Sequence, residues 1–162
     1  MDPNNLKTLE ELKEVVESLR KEGKKIVLTN GCYDIIHKGH VHILQEMAKL
    51  GDIFIVAINS DDSVRKFKGF PRPYNLEVDR AFVVSQIKGV DYVVIFGEDD
   101  PLEVIRILQP EFHVKGGAGL CERIRAEKEL VESYGGEMVC LDLLKGYSST
   151  DIVERIKELE RD

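Results

Sequence analysis

The chain has 162 residues, a formal net charge of −7 and 43% hydrophobic residues, which fits one soluble globular domain with its own core. The acidic balance argues against a general nucleic-acid or membrane-surface role, since either would need a basic face. We expect a cytoplasmic protein, because residues 1–5 show no signal peptide and no apolar run approaches the roughly 20 residues that span a bilayer.

Hydrophobic periodicity predicts helices and strands in alternation. The first helix is predicted from about Leu6 to Glu22, because apolar residues recur at helical spacing, Thr8 and Glu11 fit a capping box, and Gly23 would end it. The other predicted helices are 39–50, 60–67, 76–87, 101–108, 124–134 and 149–159. The predicted strands are 25–29, 53–59, 92–96, 111–115 and 137–141.

The second strand, residues 53–59, is almost wholly apolar, as is typical of strands buried on both faces of a parallel sheet. We therefore predict an α/β, Rossmann-like fold with a doubly wound, five-stranded parallel sheet and helices on both faces. Ligands of such sheets bind beyond the carboxyl ends of the strands, at the switch point. The loops at Asn30, Asn59 and Lys115 should open on that edge.

The three cysteines, Cys32, Cys121 and Cys140, are an odd, scattered set without a Cys-x-x-Cys pair. This pattern predicts neither a disulfide framework nor a zinc site. For Cys32 we favour the role of a small residue near a turn over that of a nucleophile.

The most informative motif is His37-Lys38-Gly39-His40, which follows a strand and a turn and opens a helix. Two imidazoles, a lysine and a bare glycine backbone at a helix N-terminus form a site for anions. Neutral imidazoles there could donate to phosphoryl oxygens as charge redistributes during a reaction. The alternative is a pair of capping or surface histidines. A two-histidine zinc site is disfavoured, because no third ligand stands at helical spacing.

Three further segments carry groups that suit phosphates. Lys68 and Arg72 lie in a Gly/Pro loop that could close over phosphates, and the alternative is a solvated charge run. The segment 115–117 (Lys-Gly-Gly) ends the fourth strand, and the alternative is a plain turn. The segment 148–150 (Ser-Ser-Thr) opens the last helix and offers a second anion cradle, where the alternative is an ordinary N-cap.

The stretch 30–40 resembles the signature of the His-x-Gly-His nucleotidyltransferase superfamily. Segments 59–80, 113–117 and 146–151 resemble, in order, the pattern of the adenylyltransferase domain of ADP-heptose synthase. The chain departs from that pattern at Ala118-Gly119-Leu120, where members typically have Asp-Tyr after the glycines. Glycerol-phosphate cytidylyltransferases carry Arg at the position of Leu143, so this residue favours the heptose branch.

The resemblance implies that D-glycero-D-manno-heptose 1-phosphate attacks the α-phosphate of ATP to give ADP-heptose and pyrophosphate, with Mg²⁺ carried on the ATP phosphates. Residues 1–162 would form one nucleotidyltransferase domain. His37 and His40 would stabilise the transition state with help from Lys38. The resemblance further implies nucleotide-binding roles for Asn30, Gly31, Cys32, Tyr33, Asp34, Gly39, Ser148, Ser149 and Thr150. It implies phosphate or substrate contacts for Asn59, Lys68, Arg72, Lys115, Gly116 and Gly117.

Two alternatives stay open from the sequence. One is a cytidylyltransferase for a polyol or amino-alcohol phosphate, and the other is a non-catalytic nucleotide-sensing module. A separate heptose kinase is expected to supply the substrate, because 162 residues leave no room for a fused one. We expect no nucleic-acid or membrane partner, and the sequence leaves a homodimer open.

Overall fold

The structure, a computed structural model, describes residues 5–117 and 119–160, so expectations for residues 1–4, Ala118 and residues 161–162 lie outside the described residues. The strands are β1 (Ile26–Gly31), β2 (Ile53–Asn59), β3 (Tyr92–Phe96), β4 (Phe112–Gly116) and β5 (Glu137–Leu141). The helices are α1 (Leu9–Lys21), α2 (Lys38–Met47), α3 (Asp61–Lys68), α4 (Glu77–Ser85), α5 (Leu102–Leu108), α6 (Arg125–Ser133) and α7 (Ser149–Leu159), and a 3-10 turn (Ala48–Leu50) follows α2. None of the helices in these ranges is long and apolar enough to cross a membrane.

The five strands form one parallel sheet in the order β3-β2-β1-β4-β5. The chain runs outward from β1 to β3 and then returns to place β4 on the other side of β1. The switch point therefore lies between β1 and β4, where doubly wound sheets bind their ligands.

Strands β1 and β4 are joined over a short stretch. Six residue pairs align β1 with β2, whereas β1 and β4 pair only at Val27–Phe112 and Leu28–His113. Beyond that point, the Thr29 hydroxyl donates to the Val114 carbonyl at 2.8 Å. A side chain thus links the two strands where they separate, and the gap between their carboxyl ends becomes available to a ligand.

Helices cover both faces of the sheet. Helices α2 and α4 pack on the face that carries Val56 and Ile58, and α1, α5 and α6 pack on the face that carries Ile55 and Ala57. This alternation follows from the two-residue period of a strand, and burial on both faces explains why β2 is apolar throughout. The predicted fold class is confirmed.

The first helix is shorter than predicted and begins at Leu9. The capping box is present, since the Thr8 hydroxyl accepts from the Glu11 backbone and Glu11 accepts from the Thr8 backbone. Leu6 is not helical, because it forms a parallel bridge with Val93 and the Lys7 backbone N–H donates to the Val93 carbonyl at 3.0 Å. These residues satisfy the backbone groups at the edge of β3, which a helix could not do.

The prediction that the cysteines form no disulfide was wrong. Cys121, in the loop after β4, is bonded to Cys140 in β5, and their Cα atoms are 6.1 Å apart. The two residues stand 19 positions apart in the sequence. Only the parallel pairing of β4 with β5 brings that loop beside the second cysteine, so sequence spacing alone gave no sign of it. Cys32 is not part of the bond.

Candidate active site

Two adjoining cavities open at the carboxyl edge of the sheet, with volumes of about 220 and 250 Å³. The first, here called the switch-point cavity, is lined by residues 29–34, Lys68, Arg72 and Gly116. The second, the helix cavity, lies where α2 and α7 begin and is lined by His37, Gly39, Leu144, Tyr147 and Ser148. Both share His40, Ile43, Leu143 and Ser149. The two cavities thus form one continuous site around His40.

His37 is the N-cap of α2, and its Nδ1 accepts from the His40 backbone N–H at 3.4 Å. An accepting nitrogen carries no proton, so a neutral His37 has its proton on Nε2. Burial lowers the pKa of His37 and favours this neutral form. The His37 ring stacks on the His40 ring with centroids 3.9 Å apart, so the two imidazoles lie side by side at the start of α2.

His40 is neutral near pH 7. Burial lowers the pKa of His40 to about 4, and the neighbouring His37 ring and the Lys68 ammonium further disfavour a proton on it. The edge of its ring meets Tyr33, with centroids 5.6 Å apart. Its Nδ1 is buried and has no hydrogen-bond partner among the described residues. The Nε2 atom is therefore the ring nitrogen that remains for a ligand.

Gly39 allows the start of α2 to pack tightly. A Cβ atom there would lie 2.8 Å from the Cβ of Tyr147 and 3.0 Å from the Cε1 of His37. The approach of a phosphate to the Gly39 backbone stays a prediction, and the structure adds this steric reason for glycine. Lys38 is exposed, and its ammonium lies 5.7 Å from the centroid of the Tyr147 ring, within cation–π range.

Asp34 fastens residues 69–76, the loop between α3 and α4 that carries Arg72 and is here called the basic loop, to the turn between β1 and α2. Its side chain is 2% exposed and accepts from Arg72 at 2.7 Å. The backbone N–H groups of Tyr74 and Asn75 also donate to it, each at 2.9 Å. Burial opposes the charge, but the hydrogen bonds from Asn75 and Arg72 outweigh it and lower the pKa of Asp34. Arg72, which lines the switch-point cavity, is therefore already paired with Asp34, whereas Lys68 in the same cavity is exposed.

Sequence reasoning did not select Arg80 as a site residue. Its side chain is fully buried and donates to the Cys32 carbonyl at 2.7 Å, the Asn75 carbonyl at 3.0 Å and the Asp61 carboxylate at 2.8 Å. One guanidinium thus joins Cys32, which lines the switch-point cavity, to the end of the basic loop and to the start of α3. The signal was available, because Arg80 stands four residues before the apolar Val84 on the buried face of α4.

Lys115 does not line either cavity. It is buried, donates to Oδ1 of Asn30 and pairs with Oε2 of Glu127 at 2.8 Å. The same Glu127 oxygen lies 2.8 Å from Nε2 of fully buried His113. Glu127 and His113 are further residues that sequence reasoning missed. Glu127 stands four residues before buried Val131 on α6, which places a carboxylate on an apolar face.

The remaining predicted residues either lie outside both cavities or line a cavity at the start of α7. Asn59, Gly117 and Thr150 lie outside both cavities, and the buried Asn59 amide donates to the Ser63 hydroxyl at 3.1 Å. Ser148 is the N-cap of α7. The Ser149 hydroxyl donates to the Ile35 carbonyl at 2.9 Å, which ties the start of α7 to the turn that follows β1.

Within residues 5–117 and 119–160, no group of three or more His, Cys, Asp and Glu side chains is arranged to hold a metal ion. Asp34, the carboxylate that lines the switch-point cavity, already accepts from a guanidinium and two backbone amides. The Mg²⁺ expected on the phosphates of ATP therefore stays a prediction, in which the phosphates supply most of its ligands.

A family model described as cytidylyltransferase-like matches residues 28–155. The chain is 45% identical over 153 residues to the bifunctional protein HldE of Syntrophotalea carbinolica, and 46% identical over 153 residues to that of Nitratiruptor sp.. These matches cover 94% of this chain but 31% and 32% of the relatives. The chain thus spans about a third of the length of the curated relatives it matches.

Two solved structures share the fold. The lipopolysaccharide core biosynthesis protein from Thermoplasma volcanium is 25% identical with a TM-score of 0.64, and the match covers 78% of this chain and 100% of that one. Pantoate-beta-alanine ligase from Francisella tularensis, complexed with beta-gamma ATP and beta-alanine, also gives a TM-score of 0.64. That match covers 98% of this chain and 79% of the ligase at 16% identity, so it shows the fold alone.

Proposed function

The chain belongs to the cytidylyltransferase-like nucleotidyltransferases, and from this premise we propose that it transfers an adenylyl group from ATP to a sugar 1-phosphate. A phosphate oxygen of the acceptor attacks the α-phosphorus of ATP. The bond between the α-phosphorus and the oxygen that bridges it to the β-phosphorus breaks, and pyrophosphate leaves. The proposed acceptor is D-glycero-D-manno-heptose 1-phosphate and the product is ADP-heptose. The named relatives support this class of acceptor.

The observation that carries the proposal is the stacked, neutral pair of His37 and His40 at the N-terminus of α2. A neutral imidazole has one N–H that can donate to a phosphoryl oxygen. The N-terminus of a helix adds partial positive charge. Negative charge that develops on the α-phosphoryl oxygens during transfer would be stabilised here, which is how fixed donors accelerate phosphoryl chemistry.

The two cavities suggest a division between the substrates. The helix cavity adjoins the N-termini of α2 and α7, and two such N-termini suit the triphosphate of ATP. The switch-point cavity carries Lys68 and Arg72, which suit the phosphate of the acceptor. Mg²⁺ bound to the ATP phosphates would neutralise their charge during transfer. His40, which lines both cavities, would then lie beside the reacting phosphorus.

Pyrophosphate release tests the proposal directly. The protein is incubated with Mg²⁺ and either ATP or CTP, together with heptose 1-phosphate, glycerol 3-phosphate or an amino-alcohol phosphate. We expect pyrophosphate and a nucleotide sugar only with ATP and the heptose phosphate. Turnover with CTP and a polyol phosphate, but none with ATP, would overturn the acceptor assignment. Tight ATP binding without pyrophosphate release from any acceptor would point instead to a nucleotide-sensing module.

A further inference from the structure

A buried row of polar side chains runs beneath the switch-point cavity, in the order Asn30, Lys115, Glu127, His113. The last three are 7%, 7% and 0% exposed. Asn30 lines the cavity, whereas the other three do not. A charged lysine and a charged glutamate at such depth are costly unless they are paired and hydrogen-bonded. Their position directly behind a cavity residue therefore calls for a role beyond packing.

The ammonium of Lys115 determines the orientation of the Asn30 amide. An amide group can be turned so that either its oxygen or its nitrogen faces a neighbour. A lysine ammonium only donates, so the side that faces Lys115 must be the oxygen. The Nδ2 group is then the polar group of Asn30 that remains for a ligand in the cavity.

Glu127 pairs with Lys115 and favours its charged form. Burial lowers the pKa of Lys115, and the Glu127 carboxylate at 2.8 Å opposes that shift. Glu127 is itself positioned by His113 at 2.8 Å. The row thus connects a side chain on the buried face of α6 to the amide at the end of β1, across the point where β1 and β4 separate.

We propose that Lys115 is a positioning residue that acts through Asn30, holding the amide so that Nδ2 donates to an oxygen of the phosphorylated acceptor. This inference rests on the proposed function. It assigns Lys115 an indirect role in place of direct contact with substrate, and it assigns Asn30 to the acceptor in place of the nucleotide. The ligand group it selects is a hydrogen-bond acceptor that carries no proton, such as a phosphate oxygen.

The sharpest test is Asn30→Asp, which keeps the shape of the side chain and can still pair with Lys115 but has no N–H to donate. We expect the KM and the dissociation constant for D-glycero-D-manno-heptose 1-phosphate to rise about 10- to 100-fold, the range for a lost hydrogen bond to a charged group. The KM for ATP should stay within about twofold. A rise in the KM for ATP, with the acceptor unaffected, would overturn the assignment.

The coupling between Lys115 and Asn30 needs its own variants. Lys115→Met alone leaves a buried carboxylate unpaired and threatens folding, so it is combined with Glu127→Gln, which neutralises the partner and can still bond to His113. In this background, Asn30→Ala should raise the acceptor KM by much less than it does in the unaltered protein, because the amide is no longer held. Equal effects of Asn30→Ala in both backgrounds would show that Lys115 does not act through Asn30.

Failure of the proposed function is distinguishable from failure of this inference. Binding of heptose 1-phosphate is measured by calorimetry as well as turnover. If the unaltered protein binds the sugar phosphate without releasing pyrophosphate, the proposed function fails, and weaker binding by Asn30→Asp still supports the inference. Unchanged binding by Asn30→Asp overturns the inference whatever the turnover. Absence of binding by the unaltered protein overturns both.

Discussion

Replacing Asp34 by alanine should release the basic loop from the rest of the site. The carboxylate accepts from Arg72 at 2.7 Å and from the backbone N–H groups of Tyr74 and Asn75 at 2.9 Å. Hydrogen bonds to a charged group contribute about 1.5–3 kcal/mol each. The total is not lost in full, because the loop can open and let water replace the carboxylate. We expect the free energy of unfolding to fall by about 2–4 kcal/mol.

Two measurements check this. Urea denaturation gives the free energy of unfolding, and hydrogen exchange reports on the Tyr74 and Asn75 amides, which should lose their protection in Asp34→Ala. Asp62→Ala is the matched control, because the Asp62 side chain is 95% exposed and pairs only at the surface with Arg65. That control should change the free energy of unfolding by less than about 1 kcal/mol.

The pH dependence gives an independent check. The pKa of Asp34 is lowered in the folded protein, so its contribution is complete above the unfolded pKa of about 3.9 and is lost as pH falls through the lower folded pKa. The difference in stability between the unaltered protein and Asp34→Asn should therefore be constant from about pH 7 to 5 and shrink below about 4. If the Tyr74 and Asn75 amides stay as protected in Asp34→Ala as before, Asp34 does not anchor the loop.

Other variants probe the site and its support. His40→Ala should lower kcat about 10²- to 10³-fold, whereas His42→Ala, exposed on the same helix, should not; equal rates would remove His40 from the mechanism. Because the pKa of His40 is about 4, the pH profile of kcat should show no titration of His40 between pH 5 and 8. Gly39→Ala should lower kcat/KM about 10²-fold by displacing its neighbours, with Gly119→Ala, which meets nothing within 4 Å, as the silent control. Arg80→Met should lower the free energy of unfolding by about 3 kcal/mol in urea, and an unchanged value would contradict its role as a buried tie.

The fold was largely predictable because buried strands have a strong local signature. The predicted bounds of β2, β3 and β5 match the structure, since each is a run of mostly apolar residues that ends at polar or turn residues. The first helix was overextended at its start, because the apolar period includes Leu6 but gives no information about the open edge of β3 that Leu6 joins. Assignment to the nucleotidyltransferases, from four ordered segments, is confirmed.

The site was predictable where its residues are contiguous and not where they meet through the fold. The motif of His37 and His40 at a helix start predicts an anion site, and the structure places the two rings together with centroids 3.9 Å apart. Lys115 at a strand end suggests a phosphate ligand, but its carboxylate partner is Glu127, on a helix twelve residues further along. The same holds for the carboxylate at Asp34, whose Arg72 partner lies 38 residues away. Such pairings follow from topology, which local patterns do not report.

The short pairing between β1 and β4 divides the sheet into two unequal halves. One half, β3-β2-β1, carries α2 and its histidines, and the other, β4-β5, leads into α7. Two residue pairs align β1 with β4, against six that align β1 with β2, and beyond them only side-chain hydrogen bonds such as those of Thr29 and Lys115 link the described parts of the two strands. A ligand that fills both cavities would contact both halves and so hold β1 and β4 together by non-covalent contacts. Occupancy should then raise the melting temperature in step with ligand concentration, as linkage requires.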